Sequence, residues 1–523
     1  MVRGGGIAPL VCLDRLMGNG IIALRLPMIA WRTLLQDFLE TSLLGRLYFN
    51  RRRWLFLSSA LLVLLATALA GGWLIAELGP LAVAIVAVGL IYVVWVLYDL
   101  EMAYAGVIGV ASLLPFASLP FSIGFIPTFL DLALLALVGA WVLIFILGPD
   151  QALITTPVGG PVLAFVLLAV AAFVAGLSHG ALTSYLVRHF AETLLSIFLF
   201  YLVVNSVRDT GRLGRIVRWL ILGAAVASLV GIVLYVLPEE TTIRALSALG
   251  RFGYPTGQGV IWHIRDDPEL MKRATGTSVH PNVLGSLLAF GIALIVPQLL
   301  SKRSIFKPWV GWALAALLGL GLVLTISRGA MVGVALAVLA ISMMRYRKLL
   351  PLYAVAALLF LISPWSQGVV DHFIEGFQFR DLSTQMRMGE YKDALILIQR
   401  YPFLGVGFSG APDIDIYVAV ASLYLTIAAQ MGIVGLVAFL VVIGMVLWRF
   451  WCRRDVVISS PELEALWFGL HAAIITGVIS GVFDRFFFSL EFHNSVTLFW
   501  LMVGLATAAT ELVDAKSSEG GVP

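Results

Sequence analysis

Charged side chains are scarce in this sequence. Of its 523 residues only 12% are Asp, Glu, Lys or Arg, whereas 60% are hydrophobic and the mean hydropathy is +0.99. Soluble domains carry about 25% charged residues. The composition therefore excludes aqueous enzyme folds and predicts a polytopic membrane protein.

Cysteines and nucleotide-binding motifs are also scarce. The chain has two cysteines, Cys12 and Cys452, so no disulfide framework is implied. It has neither a Walker loop nor a dinucleotide fingerprint, so nucleotide-driven transport has no support. Because no clear metal-ligand spacing is present, the sequence predicts no metal and no cofactor. It also predicts no nucleic-acid partner.

Long apolar runs fill most of the chain. About fourteen of them are near the length needed to cross ~30 Å of hydrocarbon. Only helices and closed barrels can span lipid, so the sequence predicts an all-α polytopic membrane protein of about 14 transmembrane helices. The expected spans are residues 54–75, 79–98, 103–119, 128–148, 161–178, 189–207, 217–237, 281–300, 308–326, 329–345, 349–364, 416–448, 464–483 and 494–513.

The remaining segments frame this transmembrane domain, which is predicted over residues 51–515. Residues 1–50 mix apolar and charged side chains, which predicts a cytoplasmic leader that is either disordered or an interfacial helix. Residues 364–416 form a large loop that carries short helices, and residues 516–523 form a cytoplasmic tail.

Basic residues set the predicted orientation. When the fourteen spans alternate across the bilayer, five basic clusters fall on one side, which the positive-inside rule makes cytoplasmic. These clusters are residues 51–53, 208–218, 302–307, 345–348 and 449–454. Both termini are then cytoplasmic. The opposite, external face receives five polar connections, residues 178–189, 238–280, 327–329, 363–417 and 484–493.

The large loop holds the most distinctive polar stretch. Residues 387–398, RMGEYKDALILI, predict a short amphipathic helix, and residues 401–407, YPFLGVG, should end it. Arg387 and Glu390 lie one turn apart on this helix as candidate catalytic residues. The alternative is an exposed ion pair of little energetic value. Asp413 and Asp415 follow in the same loop as candidate substrate-binding residues.

Arg328 is the third candidate catalytic residue. It stands between two apolar runs, where a charge in lipid costs about 2.5–3.5 kcal/mol, so such residues tend to be functional. Its place at a helix boundary leaves snorkelling to the membrane surface as the alternative. Arginine suits phosphate because its planar fork donates charge-assisted bonds.

Three further external residues are candidates for substrate binding. Arg188 and Arg273 add positive charge, although either could be a loop residue without a role. His493 begins the last helix and is a candidate for proton transfer. His280, followed by Pro281, is expected to cap a helix instead. The external arginines and the lipid-embedded body indicate an anionic, lipid-linked or membrane-adjacent substrate.

Four motifs, in order, resemble the O-antigen ligase and polysaccharide polymerase family over about residues 273–508. They are residues 273–282 (RATGTSVHPN), residues 325–330 (TISRGA), the loop residues 387–407, and residues 430–435 (QMGIVG). The resemblance implies a bacterial inner-membrane glycosyltransferase without a metal. Such enzymes join or polymerise glycans from an undecaprenyl diphosphate carrier onto a glycan or lipid acceptor hydroxyl in the periplasm.

Carried over to this chain, the resemblance assigns Arg328 and Arg387 to the diphosphate leaving group. One departure concerns the general base. Family ligases carry a histidine at the start of the helix after the large loop, whereas residues 420–425 read VASLYL here. Asp413, Asp415, Glu390 and His493 are the possible substitutes.

Two alternatives stay open because of this departure. A related branch described as bicarbonate transporters also lacks the histidine, which allows a carrier for a small anion. A catalytically inactive relative is the other alternative.

Overall fold

The computed structural model of the protein describes residues 53–120, 126–147, 153–264, 267–362, 382–409 and 420–519. The chain divides into two compact units, residues 1–98 and 99–523. In the first unit, the described residues form one long helix, α1 (Arg53–Tyr98). Its backbone leaves the helical conformation at Gly79, directly before Pro80. This break falls at the predicted boundary between the first two apolar segments.

The second unit is almost entirely helical over its described residues. A two-residue antiparallel hairpin, β1 (Trp262–His263) and β2 (Lys272–Arg273), places Trp262 opposite Arg273. The helices are α2 (Leu100–Leu113), α3 (Phe129–Leu147), α4 (Gly159–Gly176), α5 (Ser184–Ser206), α6 (Thr210–Val236), α7 (Glu239–Ser247), α8 (Pro281–Leu300), α9 (Pro308–Thr325), α10 (Arg328–Met344), α11 (Leu349–Ile362), α12 (Leu382–Arg400), α13 (Leu423–Val457), α14 (Pro461–Ser480) and α15 (His493–Glu519).

The predicted all-α polytopic class is confirmed. Each of the fourteen predicted segments overlaps a helix or half of α1. Among the described residues, nine helices are long and apolar enough to cross a membrane: α3, α4, α5, α6, α8, α9, α13, α14 and α15. The second half of α1, α2 and α10 are shorter apolar helices. With 14, 17 and 14 residues, α2, α10 and α11 extend only about 21–26 Å, and α1 is interrupted at Gly79, so the five spans predicted there are not among the nine.

Three helices form the centre of the second unit. Most residues of α8, α14 and α15 are buried, whereas fewer than a third of the residues of α4 and α9 are. α8 and α10 pack against α14, and α15 packs against α5. The α5–α15 contact includes a buried hydrogen bond of 2.8 Å between the hydroxyl groups of Ser196 and Thr497. Apolar side chains such as Trp467 and Trp500 fill the remaining space.

Local signals explain where these helices begin. α8 starts at Pro281, and the Nδ1 atom of His280 accepts a bond from the Asn282 N–H at 3.2 Å. This confirms the predicted capping role of His280. Thr183 and Asp209 cap α5 and α6 in the same way through their side-chain oxygens.

Candidate functional site

Asp484 is the centre of one polar cluster. It lies in the connection between α14 and α15 and is only 5% exposed. Its Oδ1 atom lies 3.7 Å from Nη2 of Arg387, and it accepts a hydrogen bond of 3.2 Å from Nδ2 of Asn282. A buried carboxylate requires such partners, because burying an unpaired charge is costly.

Arg273 joins this cluster through Asn282. Its Nη2 atom donates to Oδ1 of Asn282 at 2.6 Å, and its Nε atom donates to the Thr325 carbonyl at 2.9 Å. Arg273 sits on β2, so the hairpin fixes its backbone. Arg273 belongs to the first predicted family motif and Thr325 to the second, so this hydrogen bond links the two motifs.

Arg328 approaches Asp484 from the start of α10. The next residue, Gly329, packs so closely that a Cβ atom there would lie 3.1 Å from Oδ2 of Asp484 and 3.0 Å from Cβ of Phe483. Only glycine permits this approach without displacing its neighbours. The Ser480 hydroxyl also donates to the Gly329 carbonyl at 3.1 Å, which ties α10 to α14.

Burial and the neighbouring arginines shift the pKa of Asp484 in opposite directions. Burial raises the pKa of this carboxyl, and the guanidinium groups of Arg387, Arg273 and Arg328 and the Asn282 bond act in the opposite direction. All three arginines are therefore close enough to interact with one carboxyl. We call Asp484, Asn282, Arg273, Arg328 and Arg387 the Asp484 cluster.

Glu390 lies on the same helix as Arg387 but contacts a different partner. Its Oε2 atom accepts a hydrogen bond of 2.9 Å from the Ala421 N–H. The neighbouring Tyr391 hydroxyl donates to the Ala421 carbonyl at 3.1 Å. Together the two side chains attach α12 to the segment that leads into α13, and so they hold Arg387 in place.

The turn after α12, residues 402–407, makes a second attachment to α13. The α13 backbone is broken at Gly432, where φ is 70°, and a Cβ atom there would clash with the Phe403 carbonyl. The Ile433 N–H donates to the Pro402 carbonyl at 2.8 Å, and the Val406 N–H donates to the Ala429 carbonyl at 2.9 Å. The predicted turn and the predicted glycine motif therefore meet.

His280 lies beside the Asp484 cluster. Its ring contacts Trp262, Phe486 and Phe492, with centroid distances of 4.7, 5.2 and 6.3 Å. Burial lowers the pKa of His280 to about 3, and the positive charges of Arg273, Arg387 and Arg485 act in the same direction. The imidazole is therefore neutral at physiological pH.

Arg188 and His493 lie in a second cluster. Nη2 of Arg188 is 3.5 Å from Oδ2 of Asp131, and its Nε atom donates to Oε1 of Glu192 at 2.7 Å. Nδ1 of His493 is 3.4 Å from Oδ1 of Asp131 and 3.9 Å from Oε2 of Glu192. His189 Nδ1 also bonds Oε2 of Glu192 at 2.8 Å. We call these five residues the carboxylate cluster.

The structure thus distributes the predicted site residues over two places. Arg273, Arg328 and Arg387 meet at Asp484, whereas Arg188 and His493 meet at Asp131 and Glu192. Asp413 and Asp415 lie outside the described residues.

Five residues of these clusters were not predicted as site residues from the sequence: Asp484, Asn282, Asp131, Glu192 and His189. Asp131 and Glu192 carried a usable signal, since each is an acid within a predicted membrane helix.

The fold and the Asp484 cluster together define a polytopic membrane protein with a cationic site at the ends of its helices. Residues 313–440, about a quarter of the chain, match the sequence model of the family described as O-antigen ligase. Residues 313–440 are therefore similar to that family, and the predicted resemblance to the O-antigen ligase and polymerase family is confirmed. No curated protein matches the chain in sequence.

The matched region contains Arg328, Arg387 and Glu390, and it ends within α13 after the break at Gly432. Arg273, Asn282 and Asp484 come from outside it and complete the cluster in space. The match to the O-antigen ligase family indicates a glycan-joining, glycosyltransferase-like function in a multi-pass membrane protein.

Proposed function

We propose that the protein joins or polymerises glycans on the periplasmic side of the bacterial inner membrane, with both termini in the cytoplasm. The donor is a glycan on undecaprenyl diphosphate, and the acceptor is a hydroxyl group of a glycan or a lipid. The observation that supports this proposal most strongly is the convergence of Arg273, Arg328 and Arg387 on Asp484, in a chain that matches the O-antigen ligase family over residues 313–440.

The arginines of the Asp484 cluster would hold the diphosphate. Arg387 and Arg328 are assigned to the phosphate oxygens, and Arg273 is fixed by Thr325 and Asn282 so that its charge adds to theirs. Guanidinium groups form charge-assisted bonds with phosphate. Because these cations are already positioned, they stabilise the charge that develops on the leaving group in the transition state.

The chemical step is a displacement at the anomeric carbon of the donor. The acceptor oxygen forms a bond to that carbon, the bond from carbon to the phosphate oxygen breaks, and undecaprenyl diphosphate leaves with the electron pair. The acceptor hydroxyl loses its proton to a base. Among the described residues of the Asp484 cluster, Asp484 is the carboxyl whose pKa is raised by burial, which suits it to this role.

Glu390 has a positioning role in this proposal, because its carboxylate is bonded to Ala421. Asp413 and Asp415 remain proposed substrate-binding residues of the loop. Arg188 and His493 are not assigned to the diphosphate, since their contacts are with Asp131 and Glu192.

A carrier for a small anion is the second candidate function. The break in α13 at Gly432 is the observation in its favour, because many carriers bind their substrates at discontinuous helices. In this chain, however, N–H and carbonyl groups next to the break are bonded to the 402–407 turn. The break therefore anchors the turn, and we prefer the transferase.

The experiment is a transfer assay with purified protein in liposomes, using an undecaprenyl diphosphate-linked glycan and an acceptor glycolipid. We expect Arg387→Ala and Arg328→Ala each to lower the rate of transfer by about 10²–10³-fold, as loss of a preorganised charge does elsewhere. Arg244→Ala is the matched control, because Arg244 is 81% exposed and pairs only across the surface with Glu240.

Undiminished transfer in both cluster variants would rule out the diphosphate assignment. Bicarbonate uptake by the same liposomes, without any transfer by the wild-type protein, would favour the carrier instead.

A further inference from the structure

The carboxylate cluster joins three helices that are far apart in sequence. Asp131 lies in the first turn of α3, Glu192 in α5, and His493 begins α15. One oxygen of each acid and a ring nitrogen of His493 lie within 4.8 Å of one another. The three side chains are only 5–8% exposed.

Arg188 holds the two carboxylates by the oxygens that face away from His493. It contacts Oδ2 of Asp131 and Oε1 of Glu192, and the Thr128 N–H also donates to Oδ2 at 2.8 Å. The other oxygens, Oδ1 of Asp131 and Oε2 of Glu192, are turned towards Nδ1 of His493. Arg188 therefore orients both carboxylates from the side opposite His493.

Several of these converging polar atoms lack hydrogen-bond partners. Within the part of the chain that the structure describes, neither ring nitrogen of His493 nor Oδ1 of Asp131 makes a hydrogen bond, although all three atoms are buried. The two carboxylates pair with Arg188 and, at Glu192, with His189, so the cluster carries net negative charge when both histidines are neutral. Buried polar atoms without partners and uncompensated buried charge are both costly.

We propose that the carboxylate cluster is a binding site for a divalent transition-metal ion of the zinc type. The ligands are Oδ1 of Asp131, Oε2 of Glu192 and Nδ1 of His493. Arg188 and His189 act as outer partners that orient the carboxylates, as such partners do in known metal sites.

The distances fit this ion. Zinc binds histidine nitrogen and carboxylate oxygen at about 2.0–2.2 Å in tetrahedral geometry, so neighbouring ligand atoms lie roughly 3.3–3.5 Å apart. His493 Nδ1 is 3.4 Å from the Asp131 oxygen and 3.9 Å from the Glu192 oxygen. The two carboxylate oxygens lie within 4.8 Å of each other, so a movement of Glu192 would bring the three ligand atoms to this spacing, and a water molecule would supply the fourth ligand. The mixed nitrogen and oxygen ligands also favour zinc over magnesium or calcium.

An entry route is present beside the cluster. A cavity of about 580 Å³ is lined by the polar residues Asp131, Arg188, Glu192, Thr183 and Ser184, and otherwise by leucine, valine and alanine side chains. An ion can therefore reach the carboxylates without unfolding of the helices.

The ion would have a structural role. It would fix α15 at His493 against α3 and α5, and so hold the far end of the connection that carries Asp484. This inference is independent of the proposed transfer reaction, because it concerns metal binding alone.

The test measures metal content and thermal stability of the purified full-length protein after chelation and addition of zinc. We expect about one zinc ion per chain and a rise in the unfolding temperature with zinc concentration. His493→Gln and Glu192→Gln should each lose the bound ion and the temperature shift. Glu491→Gln is the matched control, because Glu491 lies in the same connection but pairs with Arg485 at the surface.

Wild-type protein that binds no zinc would overturn the proposal, and this result does not depend on the folding of any variant. Equal zinc content in wild type, His493→Gln and Glu192→Gln would also overturn it, because the ion would then be adventitious.

Discussion

The Asp484 cluster and the carboxylate cluster combine buried acids and arginines in opposite proportions. Around Asp484, three arginines act on one buried carboxyl. Around Arg188, two buried carboxylates contact this one arginine, and His493 lies beside them. We therefore proposed an anionic ligand for the first arrangement and a cation for the second. In this comparison the proposed ligand follows the ratio of buried charges rather than the types of residue.

The largest effect should come from Asp484→Ala. This substitution removes the one carboxyl that compensates the guanidinium charges of the Asp484 cluster. Loss of one partner of a buried ion pair costs about 3–5 kcal/mol. We expect this loss in the free energy of unfolding, measured in detergent by chemical denaturation. Asp484→Asn is the control and should cost less, since its amide oxygen still accepts from Asn282. Equal losses in both variants would contradict the electrostatic explanation.

Glu192→Gln should have a smaller effect in protein without metal. The amide oxygen still accepts from Arg188, but this bond loses its charge assistance, and the loss outweighs the gain from the lower net negative charge of the cluster. We expect a cost of about 1–3 kcal/mol, typical of a weakened buried hydrogen bond. The measurement is the same denaturation series after chelation. A cost equal to that of Asp484→Ala would mean that the two clusters do not differ in charge balance.

His280→Asn should change the pH dependence of stability more than stability at neutral pH. The pKa of His280 is lowered from 6.5 to about 3 in the folded protein. The unfolded chain therefore binds a proton that the folded chain does not between these values. The contribution of neutral His280 to the free energy of unfolding is therefore full above about pH 6.5, and it is lost as the pH falls towards 3.

Asparagine keeps the helix cap but does not titrate. As the pH is lowered from 6.5 to 4, the unfolding free energy of His280→Asn should therefore decrease less steeply than that of the wild-type protein. The check is a set of denaturation curves across this range. Parallel pH profiles in the two proteins would refute the assigned shift.

Glu240→Gln should have the smallest effect. Glu240 and Arg244 form an i,i+4 pair whose side chains are 85% and 81% exposed. Solvent screens such pairs, so we expect a change below about 0.5 kcal/mol in unfolding free energy and unchanged glycan transfer. A larger effect would mean that exposed charge, and not only buried charge, contributes to the site.

Much of the fold follows from the sequence because apolar runs of helical length have few alternatives in a membrane. The loop helix was predicted at residues 387–398 and extends over α12, from Leu382 to Arg400. The turn that ends it was predicted from Pro402 and two glycines, and the structure shows positive φ at both Gly405 and Gly407.

The candidate sites were predicted less completely. Arg328 and Arg387 stand out because each is a charge beside apolar sequence or in a family-like motif. Arg387 contacts Asp484, and Arg328 acts on the same carboxyl electrostatically from the start of α10. Both interactions depend on tertiary packing such as that of α10 against α14, and no local pattern reports them. Asp131 and Glu192 were passed over because each looks like an isolated acid along the chain. Only the packing of α5 against α15 brings Glu192 to His493.

The double attachment of α12 to α13 also bears on how this part of the chain can vary. The 402–407 turn, anchored at the Gly432 break, and Ala421, bonded to α12, lie on either side of residues 408–420. An insertion or deletion between these two anchor points would therefore leave both attachments, and with them the position of Arg387, in place.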